Sequence, residues 1–284
     1  MAPGSDMTMT NGRVTAAARR SSRDRMQVTL VVPTYQEAEN IEPFLRLVRA
    51  TLPDARLIVC DDNSPDGTGL IAERIGDDIG NSEVLHRPGK RGLGNAYRHG
   101  FRMALDEGAD VVVQMDVDFS HPPALLPRML DRIEAGADVV IGSRYVPGGG
   151  TPDWGAHRRL LSRVGNVYAR RVLRLGARDA TSGMRAFRAA PLEKIDIDGT
   201  HANGYGFMLE TLWRLTVAGC RIEEVSLVFC DRVAGTSKMS ARIMVESFLL
   251  VTWWGVSVRF PHAAHRFRRS RAGRRLGDHV SQLA

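Results

Sequence analysis

Short runs of apolar, mostly β-branched residues alternate along this chain with segments in which apolar residues recur every three or four positions. The segment 125–133 is typical of the second kind and has the spacing of a helix that buries one face. Alternation of this kind predicts an α/β domain with a mostly parallel sheet, from residue 26 to 240. The runs that predict buried strands lie at 28–32, 57–60, 111–113 and 139–141.

Carboxylates follow two of these predicted strands. Asp61 and Asp62 come after the second, and Asp116 and Asp118 follow the third within Val111–Pro123. The carboxyl ends of parallel strands line the ligand crevice of an open α/β sheet. In extended geometry Asp116 and Asp118 share one face, about 6–7 Å apart along the strand. Since hard oxygen ligands favour Mg²⁺ or Mn²⁺, we expect a divalent cation here; a solvated turn or a helix cap is the alternative.

The glycine-rich segments exclude two common nucleotide-binding motifs. No G-x-G-x-x-G follows the first strand, so the dinucleotide fingerprint is absent. Arg87–Ala96 is basic and glycine-rich but lacks the order of a P-loop, and it is either a loop near phosphates or a flexible connection. Further on, residues 158–171 predict a basic amphipathic helix. Arg158 and Ser162 share a face of it and either grip an anion or belong to a solvated basic surface.

Charge is concentrated at the two ends of the 284-residue chain. The net charge is +7 from 39 basic and 32 acidic residues, with arginines clustered in 1–25 and in the C-terminal tail 262–284. We expect 1–25 to be disordered, and basic tails of this kind suit an anionic membrane surface or nucleic acid. The three cysteines have no C-x-x-C spacing, which indicates buried thiols and not zinc. The N-terminus lacks a signal-peptide core, which argues against secretion.

The most hydrophobic segment, 243–260, has an uncharged stretch of about 18 Å as a helix, which is too short for a bilayer core near 30 Å. Trp253 and Trp254 precede the arginine-rich tail. We therefore predict an apolar helix over 241–261 in the membrane interface, with a helix packed on the domain as the alternative.

Seven motifs follow one another in order between residues 28 and 240. They are Pro33–Glu37, Asp61–Thr68, Gly92–Gly94, Met115–Pro123, Gly142–Tyr145, Asp179–Phe187 and Arg232–Lys238. Together they resemble the motifs of family-two glycosyltransferases with the GT-A fold. More narrowly, they resemble the polyprenol- or dolichol-phosphate mannose synthases. Seven motifs in order are specific, whereas any one of them alone would be weak.

The resemblance implies a GDP-mannose donor. Residues of the first two motifs would surround the guanosine, and the acids of the fourth would meet ribose, diphosphate and metal. Cationic residues of the later motifs would contact the diphosphate and the sugar. The donor positions carried over are Pro33, Tyr35, Glu37, Asp61, Asp62, Asp116, Val117, Asp118, Arg144, Arg232 and Lys238.

The same resemblance implies a divalent metal, Mg²⁺ or Mn²⁺, at Asp116, Asp118 and Ser120. Some relatives carry Gln where Ser120 stands, and that Gln helps to bind the metal, whereas Ser is a poorer ligand. Arg158 and Ser162 match positions that hold the phosphate of a polyprenyl phosphate acceptor. The catalytic positions carried over are Asp116, Asp118, Arg232 and Lys238.

The implied reaction is an inverting transfer of mannose to the lipid phosphate. The attacking phosphate has a second pKa of about 6 and is mostly ionised at neutral pH, so no general base is required. Such an enzyme would sit on the cytoplasmic face of a membrane, alone or with a separate membrane-anchoring protein, and would not bind nucleic acid. A glucosyl- or other sugar transferase acting on the same lipid is the near alternative. A non-catalytic binder of nucleotide sugars or nucleic acid is the alternative from another class.

Overall fold

The central sheet has seven strands in the computed structural model, which describes residues 26–200, 202, 204–231 and 248–256. The strand order is β3-β2-β1-β4-β6-β5-β7. Strand β6 runs antiparallel to β4 and β5, whereas the other paired strands are parallel, which confirms the predicted mostly parallel sheet. The strands are β1 (Val28–Thr34), β2 (Arg56–Asp61), β3 (Ser82–His86), β4 (Val111–Gln114), β5 (Val139–Ser143), β6 (Arg185–Arg188) and β7 (Ile222–Ser226).

Helices cover both faces of this sheet. Successive residues of a strand point to opposite faces, so Leu30 and Val32 of β1 belong to one apolar core and Val31 to the other. The first core lies under α1, α2 and α4, and the second lies under α3, α5 and α7. The helices are α1 (Ala38–Thr51), α2 (Thr68–Ile79), α3 (Leu93–Asp106), α4 (Leu126–Glu134), α5 (Ala156–Leu173), α6 (Ala189–Lys194) and α7 (Gly204–Val217).

Two features of the sheet differ from the sequence-based expectations. Strand β3 was not predicted, because its five residues form a partly exposed edge strand without a continuous apolar run. Strand β4 ends at Gln114, before the two acids that were expected to continue its extended geometry. Asp116 and Asp118 therefore lie in the loop that follows the strand, and the predicted extended geometry is wrong for them.

The described part of the predicted interfacial segment, residues 248–256, is helical. Its Leu250 and Val251 are buried, and Trp254 stacks on Trp213 of α7 with 5.7 Å between ring centroids. One face of this helix therefore packs on the domain, as the alternative interpretation expected. Among the residues that the structure describes, no helix is long and apolar enough to cross a membrane. The membrane interface stays a prediction, and the tails 1–25 and 262–284 lie outside the described residues.

The three cysteines differ in exposure. Cys60 is buried in β2, and burial raises the pKa of its thiol to about 12. Cys220 is half-buried and Cys230 is exposed. The prediction of buried thiols is therefore wrong for Cys230, because it lies in the loop beyond β7 and not in an apolar run.

Candidate active site

The loop after β4 carries the two acids of the Asp-x-Asp pair at the carboxyl end of the sheet. Asp118 is buried, and its Oδ1 accepts hydrogen bonds from both the N–H of Ser120 (3.1 Å) and its hydroxyl (2.6 Å). Between them, Phe119 has a left-handed backbone with φ of +59° and packs edge-on against Phe44 of α1. This anchored turn fixes the carboxylate of Asp118 relative to the sheet.

Asp116 lies closer to solvent, with 35% of its side chain exposed. The Tyr97 hydroxyl, from α3, donates to its Oδ1 at 3.3 Å, and Nδ1 of the buried His121 lies 3.8 Å from its Oδ2. Burial, and then the negative charge of Asp116, raise the pKa of Tyr97 well above its usual value, so Tyr97 stays a donor. The Tyr97 hydroxyl thus orients the Asp116 carboxylate, which stays partly exposed to solvent.

A turn at 179–184 forms the wall opposite Asp116. A Cβ placed on Gly183 would lie 2.9 Å from Asp116 Oδ2, so only glycine leaves this carboxylate where it is. The Gln114 side-chain amide donates to the Gly183 carbonyl at 3.0 Å. Arg185 is completely buried and donates to the carbonyls of Ser182, Ala180 and Met208, and this burial lowers its pKa to about 10.

Arg144, predicted to contact the diphosphate and sugar, makes a two-pronged ion pair with Asp179. Its Nε lies 2.7 Å from Asp179 Oδ2 and its Nη2 lies 2.6 Å from Oδ1, while both side chains are buried. Burial alone would raise the pKa of Asp179, but the charge and hydrogen bonds of Arg144 hold it below the usual value. The guanidinium also faces the rings of Trp154 and Phe229. In this structure Arg144 therefore joins β5 to the 179–184 turn.

The predicted guanosine residues come together at the ends of β1 and β2. Asp61 is buried and accepts from the hydroxyls of Thr34 (2.8 Å) and Ser64 (2.6 Å), so it holds two loops together. Glu37 is buried beside α1, where its carboxylate accepts from Asn40. The Lys90 ammonium lies over the Tyr35 ring, 4.2 Å from the ring centroid. Pro33, the remaining member of this predicted set, is partly buried within β1.

Asp62 belongs to a buried polar cluster that sequence reasoning did not predict. Arg87, at the end of β3, donates to both Asp62 and Asn95 and so ties the loop after β2 to the start of α3. Burial raises the pKa of Asp62, while the guanidinium opposes that rise. The glycine-rich segment 87–96 is therefore fastened at both of its ends. The basic composition of segment 87–96 was the only signal in the sequence for this cluster.

Helix α5 carries the two predicted acceptor residues on one face, as their spacing required. The Ser162 hydroxyl accepts from the Tyr145 hydroxyl at 2.6 Å. Arg158 lies over the ring of Trp154, 4.0 Å from its centroid, and donates to Asp231 Oδ1 at 3.0 Å. Asn166 ties the same helix to the turn at Thr181. The predicted pair therefore sits beside the Arg144 region.

The predicted metal ligands fit a cation that its substrate completes. Within the described ranges, no three His, Cys, Asp or Glu side chains converge as a metal cage. Mg²⁺, however, is usually held by one or two carboxylates plus substrate phosphates and water. Asp116, which is 35% exposed, and Asp118, two residues further on, would supply oxygen ligands of this kind. Ser120 turns its hydroxyl to Asp118, so it supports that carboxylate.

Two predicted site residues lie outside the described part of the chain, and one nearby residue was not predicted. Arg232 and Lys238 lie in the segment 232–247, outside the described residues. Val117 is buried in the core beside the two acids. His121 was not predicted as a site residue, yet its ring packs edge-on against Phe229 with 5.4 Å between ring centroids. It thereby links the Asp116 loop to the aromatic residues around Arg144.

The sheet order, the helices on both faces and the acids after β4 define the GT-A fold of glycosyltransferases. Mannosyltransferase PcManGT from Pyrobaculum calidifontis, solved with GDP-Man and Mn²⁺, superposes with a TM-score of 0.57 at 18% identity over 87% of this chain and 71% of that one. Glucosyl-3-phosphoglycerate synthase from Mycobacterium tuberculosis, solved with Mn²⁺, UDP-Glc and phosphoglyceric acid, gives 0.58 at 20% identity over 88% of this chain and 85% of that one. At these identities the likeness establishes the fold.

The chain belongs to glycosyl transferase family 2, whose model matches residues 29–196. It is 43% identical over 235 residues to an undecaprenyl-phosphate mannosyltransferase of Micrococcus luteus, covering 83% of this chain and 96% of that protein. It is 41% identical over 242 residues to the polyprenol monophosphomannose synthase of Mycolicibacterium smegmatis, covering 85% of this chain and 91% of that protein. The resemblance to polyprenol-phosphate mannose synthases is confirmed, and the protein is a glycosyltransferase.

Proposed function

We propose that this enzyme transfers mannose from GDP-mannose to a polyprenyl monophosphate, with inversion, to give polyprenyl phosphate β-mannose. The observation that carries the proposal is the identity above 40% to two polyprenyl-phosphate mannosyltransferases along more than nine-tenths of their length. The geometry agrees with it, because the family's acidic pair and a cationic helix face lie at one end of the sheet.

The donor would lie across the ends of β1, β2 and β4. Tyr35, with Lys90 against its ring, offers a surface for the base. Asp61 and Glu37 are already hydrogen-bonded within the protein, so their part is to shape the base pocket as well as to contact it. Asp116, whose side chain is partly exposed, would meet the ribose and the diphosphate.

A divalent cation held by Asp116 and Asp118 would stabilise the negative charge that develops on the departing GDP. This chain's own residues keep those carboxylates in position. Ser120 fixes Asp118, and Tyr97 holds Asp116. Arg232 and Lys238 are proposed to add positive charge at the diphosphate.

The acceptor phosphate is proposed to bind at Arg158 and Ser162. Two anions must approach each other in this reaction, so a cation on the acceptor side offsets their repulsion. Because the phosphate monoester is already ionised, the protein need only orient it behind the sugar. In-line attack from that side inverts the anomeric carbon. Arg144 lies next to this position, where it anchors the wall through Asp179.

The test is product formation with a short polyprenyl phosphate from GDP-mannose and, separately, from UDP-glucose. Each donor is supplied with Mg²⁺, with Mn²⁺ and after chelation. We expect lipid-linked mannose only from GDP-mannose and only with metal. Transfer from UDP-glucose alone would identify the glucosyl alternative. Binding of GDP-mannose without turnover in any metal would favour a non-catalytic binder.

Because the proposed acceptor is a lipid, we propose that the enzyme associates peripherally with the cytoplasmic side of a membrane. The predicted interface segment 241–261 and the basic tail 262–284 are the proposed contacts, with room for a separate membrane-anchoring protein. Basic tails bind anionic lipids through a charge attraction that salt screens. Deleting 262–284 should therefore weaken binding to anionic vesicles more than turnover of a short soluble acceptor. Equal loss in both assays would mean that the tail serves the fold.

A further inference from the structure

Trp154 lies two residues before helix α5, and its side chain is held on several sides. Only 4% of the residue is exposed. Its indole N–H donates to Asp231 Oδ1 at 3.1 Å, and its ring meets the Phe229 ring edge-on with 5.3 Å between centroids. Its backbone N–H donates to the Thr151 carbonyl at 3.2 Å. The indole therefore forms a fixed surface at the start of the helix.

The guanidinium of Arg158 lies over this surface. Its Cζ is 4.0 Å from the ring centroid of Trp154, which is within the range of a cation–π contact. The Arg158 side chain is 35% exposed. A long side chain loses rotamer freedom when a ligand immobilises it, and this loss weakens binding. Because the ring already restricts Arg158, less of that freedom remains to be lost when an anion binds.

The contact with the ring and the contact with a phosphate use different parts of the guanidinium. An arginine stacks on an aromatic ring through its flat face, whereas its N–H groups point outward in the plane. Phosphate oxygens accept from two parallel N–H groups of such a fork. The Trp154 ring can therefore orient the donors of Arg158 without competing with a phosphate for them.

The same indole faces a second guanidinium, that of Arg144, whose Cζ is 5.4 Å from the ring centroid. Arg144 is fixed independently, because it makes the two-pronged ion pair with the buried Asp179. The carboxylate partner of Arg158, Asp231, is instead 47% exposed. Loss of the indole should therefore release Arg158 while Arg144 stays in place.

We infer that Trp154 is a positioning residue for the acceptor: its ring holds the Arg158 guanidinium in the orientation that binds the phosphate of the lipid. The inference rests on the proposed function, since it takes Arg158 as the residue that binds this phosphate. It adds to the reaction a residue that was not among the predicted site residues. Trp154 acts only through Arg158, so its removal should weaken binding of the acceptor and not of the nucleotide sugar.

The experiment measures binding of a short polyprenyl phosphate to the full chain by titration calorimetry, without donor. Trp154→Leu keeps an apolar side chain but removes the ring. Its Kd should rise about fivefold, which is the effect of losing a cation–π contact at a partly exposed site. Trp154→Phe restores an aromatic face without the indole N–H, and its Kd should return to within about twofold of the wild-type value. The Kd for GDP-mannose should be the same in all three proteins.

A double-mutant cycle with Arg158→Ala tests whether the ring acts through the guanidinium. In the Arg158→Ala background, adding Trp154→Leu should not weaken binding further. The same fivefold loss in that background would overturn the inference, because the ring would then act on the lipid or on the fold. An unchanged Kd in Trp154→Leu alone would also overturn it.

Trp213→Leu is the matched control, because it removes an aromatic stack with Trp254 on α7, away from Arg158. Its melting temperature should fall, but its Kd for the polyprenyl phosphate should equal that of the wild type. An equal rise of Kd in Trp154→Leu and Trp213→Leu would mean general loosening and would overturn the inference. If Arg158→Ala left the Kd unchanged, the inference would fail together with the acceptor role of Arg158. Mannose transfer from GDP-mannose by the wild type, assayed separately, tests the proposed function itself.

Discussion

Arg158 and Trp154 donate to the same oxygen of Asp231, at 3.0 Å and 3.1 Å. Arg158 is the cation proposed to hold the acceptor phosphate, and Asp231 directly precedes Arg232, which is proposed to meet the donor diphosphate. If the acceptor phosphate binds Arg158 as proposed, the Asp231 carboxylate would compete with it for the guanidinium.

Replacing Asp231 by asparagine should lower the KM for polyprenyl phosphate about threefold, because Arg158 then loses a charged competitor but keeps a neutral acceptor. Arg158→Ala should raise the same KM about tenfold or more. Steady-state kinetics against acceptor concentration measure both effects. Asp77→Asn, an exposed acid on α2, controls for the loss of one negative charge. A higher KM in Asp231→Asn would mean that the carboxylate orients Arg158 and does not compete with the acceptor.

Gly183→Ala should reduce kcat about tenfold or more while leaving the melting temperature nearly unchanged. The new methyl would lie 2.9 Å from Asp116 Oδ2 and 3.3 Å from His121 Cε1. Both atoms end side chains that can shift, so the fold accommodates the change but Asp116 leaves its position. Gly176→Ala is the matched control, because nothing lies within 4 Å of its added Cβ. Equal kcat for the two variants would contradict a requirement for close approach at Asp116.

Asp118→Ala should lower turnover by about three powers of ten or more, because the proposed cation at the leaving diphosphate would lose a buried carboxylate ligand. Ser120→Ala removes one of the two hydrogen bonds to the same oxygen and should cost only about tenfold. Single-turnover assays at saturating Mn²⁺ and at limiting Mn²⁺ distinguish lost chemistry from weaker metal binding. Comparable loss in both variants would instead make Ser120 a direct ligand.

The position of Asp116 and Asp118 at the carboxyl end of the sheet was predictable from the sequence. The apolar run that predicts the strand and the Asp-x-Asp pair that predicts the chemistry are adjacent in the chain. The partner of Arg144 was not predictable, since Asp179 lies 35 positions along the chain. The antiparallel direction of strand β6 was not predicted either. Strand β6 contains two arginines, which are unusual in a buried strand. Arg185 can nevertheless be buried, because three backbone carbonyls accept hydrogen bonds from its guanidinium.

The outer face of α5 illustrates a different limit. The sequence predicted a basic amphipathic helix, and the spacing of Arg158 and Ser162 on one face was correct. Which apolar residues of that helix point inward depends on packing against the rest of the second core and on the helix at 248–256. A hydrophobic period identifies an apolar stripe but not the surface that it meets.

Asp179→Asn should reduce the free energy of unfolding at pH 7 by about 3 kcal/mol, since it leaves the buried Arg144 without its charged partner. The pKa of Asp179 lies below the usual 3.8 in the folded protein, so its stabilising effect is fully present above pH 3.8 and is lost as the pH falls through the lower folded value. Urea unfolding should therefore give a large difference between wild type and variant at pH 7 and a smaller one as the solution is acidified below 3.8. Glu83→Gln, which breaks an exposed pair with Arg56, should cost less than about 1 kcal/mol. A pH-independent difference for Asp179→Asn would show that the buried pair does not control this part of the acid stability.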